Sequence, residues 1–287
     1  SKSTPAVSTT GGTSTPVGTA SAPVGVSSVP ATGSGPVNVL YAGSLVDLMT
    51  KQIGPAFDTA TGYKFTGFSA GSTALATQIK GKVRAGDVFV SASPTVNATL
   101  EGAANGNWVS WYATFATAPL VIGYNPKSKF AADLQTKPWY DVVTEPGFRL
   151  GSTDPATDPK GKLAATALTT AEATTPALKS VKPAIYPEET LVGRLQAGQL
   201  DAAFFYVPEA LAAGIKTVDV TGQKLKASYT VTVLNKAADQ AGAEAFVAYL
   251  LGSDGLAALK KDGFTIKDPI TVTGTGVPAS LKALLAG

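Results

Sequence analysis

Ser44 and Ser72 each follow a glycine, Gly43 and Gly71, at a point where an apolar strand pattern gives way to a helical one. A helix N-terminus carries unpaired N–H groups and the positive end of the helix dipole. A hydroxyl and a glycine at such a corner make a receptor for an anion that needs no cationic side chain. Two corners of this kind in one chain point to a common ligand. The competing reading makes both serines ordinary N-caps, each worth about 1 kcal/mol of stability.

The remaining inventory narrows the chemistry. The 287 residues include no histidine and no cysteine. A Ser-His-Asp triad, thiol catalysis, Cys-ligated zinc and Fe–S clusters are thereby excluded. There is no phosphate-binding or dinucleotide-binding glycine motif, and no Ser-x-x-Lys pattern. Glu188 and Glu189, with Asp154 or Asp158, offer carboxylates for glycoside hydrolysis. Adjacent residues point apart, however, and an acidic pair ahead of a helix near Leu191 complements its dipole. Arg149 and Arg194 are candidates for bidentate anion contacts or for ordinary surface roles. Trp108, Trp111, Trp139, Tyr112 and Tyr140 read as a sugar platform or, more simply, as packing. A net charge of +3 with 15% charged residues and no basic run gives no footprint for nucleic acid. No stretch approaches the roughly 20 apolar residues that cross a bilayer. Without a histidine, anion affinity is expected to change little between about pH 6 and 8.

The elements that position these residues follow from periodicity. Val37–Tyr41 reads as a mostly buried strand and Ser44 opens a helix, with Leu45, Leu48, Met49 and Ile53 on its apolar face and Asp47 as a capping-box-like partner. Gly54-Pro55 bends or ends it. A strand at Tyr63–Phe68, a helix opened by Ser72 and a strand at Asp87–Val90 complete a βαβαβ unit, which argues for a parallel sheet with its ligand edge at the strand carboxyl ends. Ala118–Tyr124 and Ser228–Leu234 read as long strands crossing between two lobes. Helices near Leu163–Ala173 and Leu191–Ala197 and a strand at Ala202–Tyr206 lie between them, and helices at Ala243–Leu251 and Leu256–Lys260 follow. The first 36 residues differ: 30 are Ser, Thr, Pro, Gly or Ala. That composition reads as a flexible tether. It contains no signal-peptide core, so an export signal is expected upstream and removed. The expected organisation is a tether over 1–36, a first lobe over 37–119, a second over 120–235, and a return to the first over 236–287.

Taken together in order, several segments resemble the molybdate/tungstate-binding proteins of ABC transporters. They are Ala42-Gly43-Ser44-Leu45, Ala70-Gly71-Ser72 and Asp87–Ser93, then Trp111-Tyr112 through Lys129, Trp139–Val143, Arg149–Pro155, Gln196–Tyr206 and Gly263–Lys267. Several of these are similar to the archaeal tungstate-binding branch. The resemblance implies an α/β, two-lobed periplasmic-binding-protein-like fold of type II. Each lobe would be a mainly parallel sheet flanked by helices, closing on one oxyanion in the cleft without catalysis or cofactor. It implies Ser44 and Ser72, with Gly43 and Gly71, as first-lobe ligands. The Thr153–Lys160 loop, the Thr190 region and Tyr206 would serve from the second lobe. Asp158 in Asp158-Pro159-Lys160-Gly161 matches a carboxylate that can approach the anion's metal centre, with no metal site of the protein's own. The branch's second carboxylate falls at Phe205, which favours simple tetrahedral coordination and keeps sulfate or another oxyanion as an alternative. Bland readings stand beside these: Asp158 as a turn former or helix cap, Tyr206 as a core residue. A membrane ABC permease as partner, a monomer, and an extracytoplasmic location with a lipid anchor on a removed upstream segment complete what the resemblance implies.

Overall fold

The computed structural model describes residues 31–285. The tether expected over 1–36 therefore lies largely outside the described residues. Ten strands follow in chain order: β1 (Pro36–Ala42), β2 (Lys64–Ala70), β3 (Val88–Ser91), β4 (Trp111–Tyr124), β5 (Leu150–Ser152), β6 (Ala184–Ile185), β7 (Ala202–Tyr206), β8 (Lys216–Asp219), β9 (Lys226–Val233) and β10 (Thr265–Gly274). They are hydrogen-bonded in the order β2-β1-β3-β9-β4-β7-β5-β6, with β8 and β10 also on β4.

The result is a two-lobed α/β fold with mixed rather than mainly parallel sheets. Parallel pairing is confined to β2-β1-β3 in one lobe and β7-β5-β6 in the other. The antiparallel pairs all involve β4 or β9, the strands nearest the crossing. β4 serves both lobes. Its first half pairs with β9 and β10, and Leu120–Tyr124 pairs with β7 and β8. Exposed Pro119 stands where it changes partners, a place where a residue without an N–H is tolerated. β9 pairs only with β3 and the first half of β4, so the chain re-enters the first sheet at Lys226, ahead of the boundary at Asn235 drawn from sequence.

Both faces of the first sheet are covered, which is why β1 is apolar on both sides apart from Asn38. Leu40 and Phe89 pack against Leu75 and Ile79 of the helix Ser72–Lys80. Val37, Val39 and Tyr41 face the opposite layer, where Phe57 meets Phe246 edge-on. In the second lobe Phe205 packs with Val121, Leu191, Leu195 and Leu200. Trp139 packs edge-on against Phe204 on the other face, so the packing reading of that tryptophan holds. Gly54-Pro55 does not stop the first helix. Helical backbone continues from a 3-10 turn at Gly43–Leu45 through a π turn at Met49–Ile53 to Thr61, and Pro55 sits in the first turn of the last segment, where no donor is needed.

Candidate functional site

The register of β1 on β2 sets the site. Ala42 pairs with Ala70, the last residue of each strand, so the Gly43-Ser44 and Gly71-Ser72 corners are neighbours on one sheet edge. In the second lobe β5 ends at Ser152 and leads into Thr153, β6 leads to the turn Glu188–Thr190, and β7 ends at Tyr206. Each lobe thus offers the loops at the carboxyl ends of its parallel strands, the usual ligand edge of such sheets.

The two edges meet. A Cβ on Gly43 would overlap Cγ of Glu188, and one on Gly71 would overlap the carbonyl oxygen of Thr157. The Ala74 N–H donates to that same carbonyl across the lobes at 3.0 Å. The glycines therefore do more than expose N–H groups: they let the lobes close.

Neither serine caps its helix with its side chain. Ser44 lies inside the 3-10 turn, and its hydroxyl is 2.8 Å from Tyr229 Oη. Asp47 makes no capping contact with it and instead pairs with Lys51. Ser72 is the first helical residue after Gly71 and accepts from the Ala92 N–H at 3.0 Å, which leaves its own hydroxyl proton to donate. Ser72, Thr153, Asp158 and Tyr206 are all buried. The Thr190 hydroxyl donates to the Pro187 carbonyl within its own turn at 3.0 Å. The same turn supplies Glu188.

Six buried side-chain polar atoms have no hydrogen-bond partner among the described residues, and four belong here: Thr153 Oγ1, Asp158 Oδ2, Glu188 Oε2 and Tyr206 Oη. Buried polar groups in folded proteins are almost always paired, so such a concentration marks a place prepared for something polar. Asp158 occupies the N-cap position of the helix Pro159–Glu172, yet its side chain does not cap it.

Sequence reasoning missed the ionic centre of the site. Lys160 is wholly buried and binds Glu188 and, at 2.6 Å, Glu209. One signal was available: a lysine in the first turn of a helix opposes the dipole and calls for a nearby acid. Glu209, three residues beyond Tyr206, also accepts from the Tyr206 N–H at 2.7 Å. Burial and the neighbouring charge of Glu188 hold the Asp158 carboxyl well above the ordinary range. Burial pushes Glu188 up, but the Lys160 charge together with hydrogen bonds from Asp158, Lys160 and Glu209 brings it below its ordinary value. Burial, reinforced by Glu188, pushes Glu209 up to about 7 against the pull of Lys160. Lys160 is raised, since its acidic neighbours overcome desolvation. Burial raises Tyr206 and Tyr229 far above neutrality, so both remain hydroxyl donors. The absence of histidine therefore does not leave this site without groups that titrate near neutral pH.

The arrangement favours binding over hydrolysis. Asp158 and Glu188 lie within hydrogen-bonding reach of each other, whereas hydrolytic carboxylates stand apart across a bound sugar. Arg149 is held by Asp201 at 3.1 Å, and Arg194 by Gln199 at 3.0 Å and the Tyr186 ring, so neither enters the cluster. No group of three or more acidic or imidazole ligands that could hold a metal ion occurs among the described residues. None of their helices is long and apolar enough to cross a membrane.

The profile described as bacterial extracellular solute-binding protein matches residues 37–265, and the chain belongs to that family. It is a transport protein of the periplasmic-binding kind, a family not known for catalysis, whose members work with a membrane ABC permease. It is similar to a putative ABC transporter molybdenum-binding protein of Haloferax volcanii, 33% identical over 59% of this chain and 54% of the relative. It is also similar to the molybdate/tungstate-binding protein WtpA of Thermococcus kodakarensis, 24% identical over 77% of this chain and 78% of that protein. Among solved structures, the periplasmic molybdate-binding protein of Azotobacter vinelandii superposes with a TM-score of 0.63 at 20% identity, covering 80% of this chain and 99% of its own, a likeness of fold.

Proposed function

We propose that this chain is an extracytoplasmic receptor for a small tetrahedral oxyanion, molybdate or tungstate first, that delivers it to an ABC permease. The observation that carries the reading is the convergence of the Gly43-Ser44 and Gly71-Ser72 corners on buried, unpartnered Thr153, Asp158 and Tyr206. The N–H groups of the corners, the Ser72 hydroxyl and the Thr153 and Tyr206 hydroxyls are the donors. Closure excludes water and strengthens every one of these bonds, and the anion stabilises the closed population by its preference for that form. The Haloferax and Thermococcus relatives, named for binding molybdenum and molybdate or tungstate, support this choice.

Sulfate is the second reading, favoured by one observation. Phe205 lies in an apolar cluster, so no carboxylate stands at that position to expand coordination around a metal centre. Attachment to the membrane surface through a lipid anchor is part of the same proposal and rests on the likeness to that transporter family, with the Ser/Thr/Pro/Gly/Ala-rich stretch 1–36 as the tether. Calorimetric titration with molybdate, tungstate, sulfate and phosphate tests the ligand. The expected result is one saturable site with molybdate or tungstate bound most tightly. Tightest binding of sulfate selects the second reading, and no heat with any anion overturns both.

A further inference from the structure

We propose that Asp158 determines specificity in this site as a neutral acid: it donates a hydrogen bond to one anion oxygen, so that each dianion is bound together with one proton. The proposal rests on the oxyanion-receptor reading and adds to it the charge the site accepts.

The geometry is specific. Asp158 leads into the Pro159–Glu172 helix and lies against Gly71, the residue that opens the facing first-lobe helix Ser72–Lys80. Its neighbours from the surrounding elements are few and identified. Thr153 follows β5, Lys160 shares its helix, Glu188 comes from the turn before Leu191, and Tyr206 ends β7. Glu209 lies on the short helix after it and Tyr229 on β9. Lys160 is the single cation in this group, and it is committed to Glu188 and Glu209. No cation is left for Asp158. Two ionised carboxylates in contact away from water repel strongly, yet Oδ2 of Asp158 and Oε2 of Glu188 are both buried and both lack a donor. One proton on Asp158, shared with the neighbouring Glu188, removes that repulsion. The upward displacement of Asp158 and the downward displacement of Glu188 agree with that placement.

An arriving dianion sharpens the requirement. It enters a cluster whose one lysine is already matched by two glutamates. Against an ionised Asp158 it would meet a third carboxylate with no counter-charge, whereas against the acid form it gains a donor. The proton stays in the site, moving from the Asp158–Glu188 contact to the Asp158–anion contact. Where Asp158 is ionised in the free protein, it is drawn from solvent.

The test is calorimetric titration of the full chain with sodium molybdate and sodium sulfate between about pH 6 and 9. Running it in buffers of different ionisation heat counts protons directly. Above the pH at which free Asp158 ionises, the expected result is uptake of close to one proton per anion, with affinity falling by about tenfold per pH unit; below it, no uptake is expected and Asp158→Asn binds as tightly as wild type. Asp158→Asn keeps a donor at every pH, so the slope and the proton uptake vanish above about pH 8, beyond the range where Glu209 titrates, and the variant binds more tightly than wild type there. Should that variant fold poorly, the count is repeated on Glu209→Gln, which removes the other group that titrates near neutrality, so that uptake that remains belongs to Asp158 and uptake that disappears overturns the assignment. Anion binding with flat affinity and no proton uptake, together with weaker binding by Asp158→Asn than by wild type, overturns the inference and leaves the receptor reading intact. A slope that survives Asp158→Asn in that alkaline range also overturns it, by placing the proton on another group. Failure of both anions to bind wild type overturns the receptor reading and this inference together.

Discussion

Gly43 of the first lobe lies against Glu188 of the second with no room for a methyl group between them. The corner that offers N–H groups is therefore also a hinge stop, and the acid it touches belongs to the ionic centre around Lys160. Ligand chemistry and lobe closure are set by the same few atoms.

The second corner gives the cleaner variant, because the obstacle there is backbone. Gly71→Ala puts a methyl onto the Thr157 carbonyl, which cannot rotate away. Closure is blocked while each lobe keeps its own core. Anion affinity is expected to fall by at least about tenfold, with the melting temperature little changed. Small-angle scattering is expected to show no compaction on adding anion, and undiminished compaction would contradict this role for the glycine.

Ser44 and Tyr229 form a buried hydroxyl pair at 2.8 Å within the first lobe. Ser44→Ala and Tyr229→Phe each remove one hydrogen bond, worth about 1 kcal/mol of stability. Because they break the same contact, the double variant is expected to cost less than the sum. If Ser44 also serves the anion through its place on the corner, Ser44→Ala weakens binding by more than it lowers stability. Urea unfolding and calorimetry on the same samples separate the two effects, and equal losses would leave Ser44 a purely structural residue.

Lys160 holds two buried glutamates apart. Lys160→Met leaves them facing each other without a counter-ion, which is expected to cost about 3–5 kcal/mol in urea unfolding. Adding Glu188→Gln and Glu209→Gln to that variant is expected to restore a substantial part of the loss. A mild effect of Lys160→Met alone would show that the centre is already neutralised by protons.

Stability of the free protein is expected to fall as pH rises from about 5 to 8. Glu209 is raised to about 7, and Asp158 is raised as well. In that window the native state holds protons that the unfolded chain has released, so alkalinity favours unfolding. Glu188, held low, and Lys160, held high, keep one charge state throughout the window and add no slope. Glu209→Gln preserves an acceptor for Lys160 and the Tyr206 N–H, and it is expected to flatten the curve around pH 7. Stability rising across the same window in wild type would reverse the sign of the account.

β1, β2, β3, β7, β9, the second half of β4 and the first-lobe corners were legible from sequence because they rest on local pattern, whereas β5, β6, β8 and β10 were not read. The apolar runs at Val37–Tyr41 and Ala202–Tyr206 and the glycine-serine pairs need only neighbours in the chain. The ionic centre was not, because Lys160, Glu188 and Glu209 come from three separate elements and meet only after the second lobe folds. Glu188 and Glu209 each sit in a first helical turn, where an acid is explained by the dipole alone. The re-entry at Lys226 was hidden for a related reason: alternation identifies a strand but not its partners, and β9 takes its place from β3 and β4.

Anomalous diffraction at the molybdenum edge, on crystals grown with molybdate, tests the central claim most directly. The account predicts one strong peak within hydrogen-bonding reach of the Gly43-Ser44 and Gly71-Ser72 corners and of Thr153, Asp158 and Tyr206. A peak elsewhere on the protein, or none at millimolar molybdate with the lobes closed on each other, would contradict it.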